Sequence, residues 1–208
     1  MILIVDNTQD SPTALYLPKL IAVLHERDIP YITVTTYTEL KDALQRYRRS
    51  IKGVIMSGSQ LMISQMKHSE YIDIFTMNLV AVTMCGMKWR IPVLGICFGC
   101  QFIYTFFGGS LRKLPKPTCK NHMIHFVRPG ESAPARFCCT YLLGENVPND
   151  ITIKAHVHNN EVGSAPCYIQ HRSYPIYGTS FHPEYKKETH QILHKFLDIT
   201  QCRTQGHT

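Results

Sequence analysis

Little of this 208-residue chain is charged: Asp, Glu, Lys and Arg make up 18%, against 44% hydrophobic residues. That balance excludes a disordered chain and supplies enough apolar side chain for a buried core. There is also no unbroken apolar run of membrane length. The two longest, around 74–87 and 91–109, are interrupted by Asn78, Lys88, Arg90 or glycines, so neither reads as a membrane span. The start, Met1-Ile2-Leu3-Ile4-Val5-Asp6, lacks the basic flank of a secretory signal and meets an acidic residue at once. Internal repeats, low-complexity tracts and interdomain linkers are missing. One domain over 1–201 with a polar tail over 202–208 is expected. No G-x-x-x-x-G-K-[ST] occurs, so the chain is expected to hold no nucleotide-activating cofactor of its own.

The eight cysteines do not fall in the spacing of a disulfide framework. With no secretion signal and with thiols inside apolar segments, a reducing compartment and a cytoplasmic location are expected. The net charge is +7, but the basic residues are scattered. The densest cluster, Arg46, Arg48 and Arg49, ends a predicted helix, where positive charge complements the dipole. A generally basic surface is the reading; neither nucleic acid nor membrane is an expected partner.

What is present is a regular alternation. Residues 1–6 form an apolar run, followed by Ser11-Pro12 as a helix start, and Leu17, Leu20, Ile21 and Leu24 at helical spacing. Ile32 to Val34 is a short β-branched run, and Leu40, Ala43, Leu44 and Tyr47 again repeat helically. Val54-Ile55-Met56 ends at Ser57-Gly58-Ser59. A helix over about 70–88, a strand over 91–96 and a helix over about 98–107 follow. Such alternation predicts an α/β fold: an open, mostly parallel sheet with helices on both faces, of flavodoxin-like type. The second half is β-like near 109–114, 122–127, 136–143, 151–157 and 166–170, which predicts a small antiparallel portion. Residues 176–181 return to the main sheet, and Lys186 to Ile199 form a closing helix.

In open α/β sheets, sites gather at the carboxyl ends of strands. Three chemically suggestive segments fall there: Ser57-Gly58-Ser59, Cys97 and His182. Gly95-Ile96-Cys97-Phe98-Gly99 has the G-x-nucleophile-x-G form of a sharp strand-to-helix turn. There the helix N-terminus favours a thiolate, and the amide of Phe98 can face an oxyanion. A buried cysteine at such a junction is the plainer alternative. Cys97-Phe98-Gly99-Cys100 is also a C-x-x-C, but zinc needs two more ligands, and the adjacent Cys138-Cys139 makes a poor second pair. Too many strand–helix units precede it for a thioredoxin-like motif. In His182-Pro183-Glu184, the extended backbone favoured before proline puts histidine and carboxylate on one side. Glu184 can then orient His182 as base toward Cys97. The other histidines, including His156, His158, His190 and His194, form no H-E-x-x-H, and no metal is expected.

Together, Gly95 to Gln101 and Phe181-His182-Pro183-Glu184 resemble the G-x-C-x-G-x-Q and F-H-P-E segments of class I glutamine amidotransferases. The resemblance covers nearly the whole chain. Met1 to Asn7 is similar to the first strand of the small glutaminase subunits of anthranilate and aminodeoxychorismate synthases. His158-Asn159-Asn160-Glu161-Val162 sits where the family has an S-H-x-D-E-V-like segment. Pro175-Ile176-Tyr177-Gly178 looks most like the glutaminase part of GMP synthase. The resemblance implies a glutaminase with Cys97 as nucleophile, His182 as proton carrier and Glu184 as its orienter. It also implies Phe98 and Ser59 as oxyanion donors, with Gln101 and Gly58 at the substrate. Glutamine would yield glutamate and ammonia through a γ-glutamyl thioester. A synthetase partner in trans, carrying ATP and Mg, would pass the ammonia to an acceptor such as xanthosine monophosphate. A stand-alone γ-glutamyl hydrolase and a non-catalytic binding module remain alternatives.

Two positions depart from the family pattern. Where the family has S-G-G-P or S-x-G-P, this chain has Ser57-Gly58-Ser59-Gln60, and Ser180 replaces the glutamine common before F-H-P-E. The second glycine supplies an oxyanion-hole amide, and serine resists backbone angles that glycine accepts. Loss of one such donor costs about 10²–10³ in rate, so a weakened oxyanion hole is the expectation.

Overall fold

The computed structural model describes residues 1–8 and 16–202. The helix start assigned to Ser11-Pro12 lies outside the described residues, as does most of the expected polar tail. Five short strands form the parallel part of the sheet: β1 (Ile2–Val5), β2 (Tyr31–Val34), β3 (Gly53–Met56), β4 (Val93–Ile96) and β11 (Ile176–Thr179). They lie in the order β2-β1-β3-β4-β11, each parallel to its neighbours. All residues of β1, β3 and β4 are buried, as expected of continuous apolar runs covered on both faces.

The two-residue period of each strand sorts the core into two layers. Leu3, Val5, Val54 and Met56 face α2 (Tyr37–Tyr47), α3 (Ile72–Val80) and α4 (Phe98–Phe106). Ile2, Ile4, Ile55, Leu94 and Ile96 face α1 (Tyr16–His25) and α5 (Lys187–Cys202). Leu20 and Leu24 of α1, and Leu40, Ala43 and Leu44 of α2, are buried, as their helical spacing predicts. Thr36 and Glu39 close a capping box at the start of α2. The predicted 70–88 helix is α3 continued by a π-helical segment, Ala81–Lys88.

Beyond β11 the sheet continues antiparallel through β10 (Gly163–His171), β9 (Ile151–Asn159), β6 (Asn121–Phe126) and β7 (Ser132–Arg136). A separate two-stranded sheet pairs β5 (Leu111–Thr118) with β8 (Cys139–Leu143). The fold class is therefore the expected one, with antiparallel strands extending the main sheet itself.

Two expectations need correction. The run 136–143 is two strands in different sheets, because Phe137 turns fully into the core while Arg136 pairs with His182. That crossing carries Cys138 past the end of β4. The cysteines are not all free either: Cys119 and Cys138 form a disulfide across 19 residues of sequence. Their meeting depends on β5, β6 and β7 folding back on one another, which linear spacing does not reveal.

Candidate active site

Cys97 follows β4 directly and caps α4. Its amide donates to the Thr179 carbonyl at 2.7 Å, and its carbonyl accepts from the Gln101 amide at 3.0 Å. Held at both ends, it adopts φ 49°, ψ −101°, a region that L-residues rarely enter. Such strain costs about 1–3 kcal/mol and persists where the surroundings over-determine it. The flanking glycines make the turn possible. A Cβ on Gly95 would come within 2.5 Å of the Gly99 backbone, and one on Gly99 within 2.6 Å of the Met56 carbonyl oxygen. The Cys97 thiol donates to the Cys138 carbonyl at 3.7 Å.

His182 follows β11 and is 2% exposed; Glu184 is 4% exposed. The Glu184 Oε1 lies 2.8 Å from His182 Nδ1, so Nδ1–H donates to the carboxylate. That bond fixes the ring so that Nε2 faces the thiol. The backbone of His182 is pinned by its amide, which donates to the Arg136 carbonyl at 2.7 Å. Tyr16 stacks on the imidazole with centroids 3.6 Å apart. Burial alone would lower the His182 pKa. The Glu184 charge, together with the hydrogen bonds to Cys97 and Glu184, outweighs it and raises the value to about 10.

The third segment follows β3. Gly58 lies so close to the thiol and imidazole that a Cβ there would sit 3.0 Å from His182 Cε1 and 3.4 Å from Cys97 Cβ. Ser59 has no positive φ, so its position here demands no glycine-only angle. Its hydroxyl accepts the Leu61 amide at 3.0 Å and shapes the loop. The Phe98 amide is in the first turn of α4, where helical geometry provides no acceptor. Gln101 donates through Nε2 to the Tyr141 carbonyl at 3.0 Å, tying α4 to β8.

Cys97, His182, Glu184, Phe98, Ser59, Gly58 and Gln101 all line one cavity of about 480 Å³. The structure thus brings together every site residue expected from the sequence. Cys100 points away; burial raises its thiol pKa well above normal, and it is unpaired. The segment His158 to Val162 forms the β9–β10 turn, where Asn159 Oδ1 accepts the amides of Glu161 and Val162. None of its residues lines the cavity.

Several cavity residues were invisible to sequence reasoning. Tyr16, Arg136 and Tyr185 line it, as do Cys119 and Cys138. Only Tyr185 carried a signal, by following F-H-P-E directly. A buried network behind the site was missed too. Asn7 donates its amide to Ser57 Oγ at 2.8 Å and its Nδ2 to the Ser57 carbonyl at 2.9 Å. Asn78 Nδ2 donates to Asn7 Oδ1 at 2.7 Å. Both asparagines are fully buried, and they hold the residue from which the Gly58–Ser59 loop departs. Asn78→Ala leaves the buried Asn7 Oδ1 without its donor. A loss of about 1–3 kcal/mol in urea-unfolding stability is expected.

The family model for class-I glutamine amidotransferases matches residues 14–200. The chain belongs to that family. Among its relatives, a glutamine-hydrolysing GMP synthase subunit from Thermoplasma acidophilum is 32% identical over 119 residues, 52% of this chain. The match spans only 56% of that relative's own length. The corresponding subunit from Methanococcus aeolicus is 28% identical over 167 residues, 73% of this chain and 75% of the relative. Among solved structures, a Thermoplasma acidophilum protein taken to be such a GMP synthase subunit superposes with a TM-score of 0.76. At 21% identity it covers 98% of this amidotransferase chain and 95% of its own, which speaks for the shared fold. Among the described residues, no helix of the amidotransferase is long and apolar enough to cross a membrane.

Proposed function

We propose that this amidotransferase hydrolyses L-glutamine to glutamate and ammonia through a thioester on Cys97. The observation that carries this reading is the strained Cys97 facing a buried His182–Glu184 pair in one cavity. His182 Nε2 holds the proton shared with the thiol while the sulfur attacks the side-chain carboxamide carbon. The developing oxyanion lies toward the amides of Phe98 and Ser59. The imidazolium returns the proton to the leaving nitrogen, and ammonia departs. Water, deprotonated by His182, then attacks the thioester; glutamate leaves and the thiol is restored. Tyr16, stacked on the imidazole, limits its rotation through these steps.

That several relatives are named as glutamine-hydrolysing subunits of GMP synthase supports a synthetase partner in trans. That partner would hold ATP and Mg and accept the ammonia, with xanthosine monophosphate as the acceptor. Mass spectrometry after exposure to the glutamine-analogue electrophile diazo-oxo-norleucine tests the reading. One adduct on Cys97 is expected, blocked by glutamine and absent in Cys97→Ala. Labelling that glutamine fails to slow, even with a synthetase present, would reject a glutamine site.

A further inference from the structure

The cavity holds one cation that the hydrolytic steps do not use. Among the described residues lining it, the Asp, Glu, Lys and Arg side chains are Glu184, whose Oε1 is bonded to His182, and Arg136. Arg136 ends β7, and its backbone is held on both sides. It pairs with Asn121 of β6, and its carbonyl accepts the His182 amide at 2.7 Å. The same bond that fixes the general base therefore fixes where the guanidinium starts.

The side chain has contacts but, among the described residues, no ion pair. Its guanidinium carbon sits 5.1 Å from the centroid of the Tyr185 ring, and Nη2 donates to Cys119 Sγ at 3.3 Å. Nε is buried and has no hydrogen-bond acceptor among the described residues. Lys19 Nζ lies over the same Tyr185 ring at 4.8 Å, so a second cation stands at this edge. A buried guanidinium donor without an acceptor is costly unless something else supplies one. Guanidinium geometry matches a carboxylate bidentately.

We propose that Arg136 receives the α-carboxylate of the γ-glutamyl substrate and so selects for substrates that carry one. The proposal rests on the reading of Cys97 as an amide-cleaving nucleophile and names the other end of the same substrate. The scissile amide at Cys97 and the α-carboxylate at Arg136 would then be anchored from opposite ends of the substrate, fixing its direction in the cavity. Free glutamine and γ-glutamyl peptides share this group; amides without it do not fit.

The test compares glutamine with 4-aminobutanamide, which is glutamine without its α-carboxylate, by ammonia release from the full chain with its synthetase present. Wild type is expected to prefer glutamine strongly. Arg136→Gln should raise KM for glutamine about 10- to 100-fold with kcat little changed. Its rate on 4-aminobutanamide should stay the same, so the preference collapses by that factor. Arg136→Lys keeps the charge without the fork and should fall between. A structural role would lower both substrates together, and an unchanged preference in both variants overturns the proposal. If wild type releases no ammonia from glutamine, the hydrolytic reading fails separately. Calorimetric titration of glutamine into Cys97→Ala, with and without Arg136→Gln, then decides: binding lost with Arg136 upholds the assignment, and no binding with Arg136 present overturns it.

Discussion

Glu184→Gln is expected to lower glutamine hydrolysis by about 10³–10⁴-fold while the fold stays intact. The carboxylate does two things that an amide cannot. Its Oε1 accepts Nδ1–H of His182 at 2.8 Å, which turns Nε2 toward the Cys97 thiol. Its charge also stabilises the imidazolium that forms. A glutamine can turn its NH₂ toward Nδ1, which selects the opposite tautomer and leaves the thiol without a base. Steady-state kcat/KM is the measurement; a loss below about tenfold would deny Glu184 the proposed role of orienting His182.

The same pair gives a pH signature in stability. His182 titrates at about 10 in the folded chain against 6.5 when unperturbed. A group whose pKa is raised by folding binds its proton more tightly in the native state. Its stabilisation is therefore complete below about pH 6.5 and is lost as pH rises through about 10. Glu184→Gln removes the main cause of the elevation. The gap in thermal midpoint between wild type and variant should be widest below pH 6.5 and close toward pH 10. A gap that widens with rising pH would contradict the assignment of the proton to His182.

The parallel strands and the two halves of the candidate site were legible because each is local in sequence. Buried parallel strands leave continuous apolar runs, and β1, β3 and β4 appear where such runs lie. A nucleophile turn needs glycines two residues either side, and H-P-E holds histidine and carboxylate together by extension alone. What escaped depends on chain segments meeting from afar. Asn78 looked like a polar break in an apolar helix; its amide is satisfied by the Ile74 carbonyl of its own helix and by Asn7, 71 residues earlier. Cys119 and Cys138 meet only after β5, β6 and β7 have folded back. Arg136 sits in a stretch that reads as one strand, and only the crossing between sheets turns it to the cavity. The Ser59 departure looked like an obstacle because a glycine was assumed to be needed for its angle; the loop does not use that angle.

Substituting alanine at two glycines should separate chemistry from folding. At Gly95 a Cβ meets the backbone of Gly99 at 2.5 Å and the Cys100 nitrogen at 2.7 Å. Backbone in a helix packed on a sheet cannot withdraw. Gly95→Ala is therefore expected to cost about 3 kcal/mol or more, at or beyond the top of the usual overpacking range. At Gly58 the nearest atoms are side chains: His182 Cε1 at 3.0 Å and Cys97 Cβ at 3.4 Å. Gly58 has no positive φ, so alanine brings no backbone strain there. The imidazole must yield by a few tenths of an ångström, against Tyr16 stacked at 3.6 Å on one side and Glu184 at 2.8 Å on Nδ1. Stability should hardly change, because one contact is tightened and no polar group is stranded. Activity should fall by about 10- to 100-fold, since displacing reacting groups by even about 1 Å is enough for a loss of that order. Urea unfolding and glutamine hydrolysis measured on both variants distinguish the cases. A Gly58→Ala protein with full activity would mean that the imidazole has more room than this packing shows. A fully stable Gly95→Ala protein would mean that the strand–helix turn carrying Cys97 can open, and with it the strain that presents the thiol.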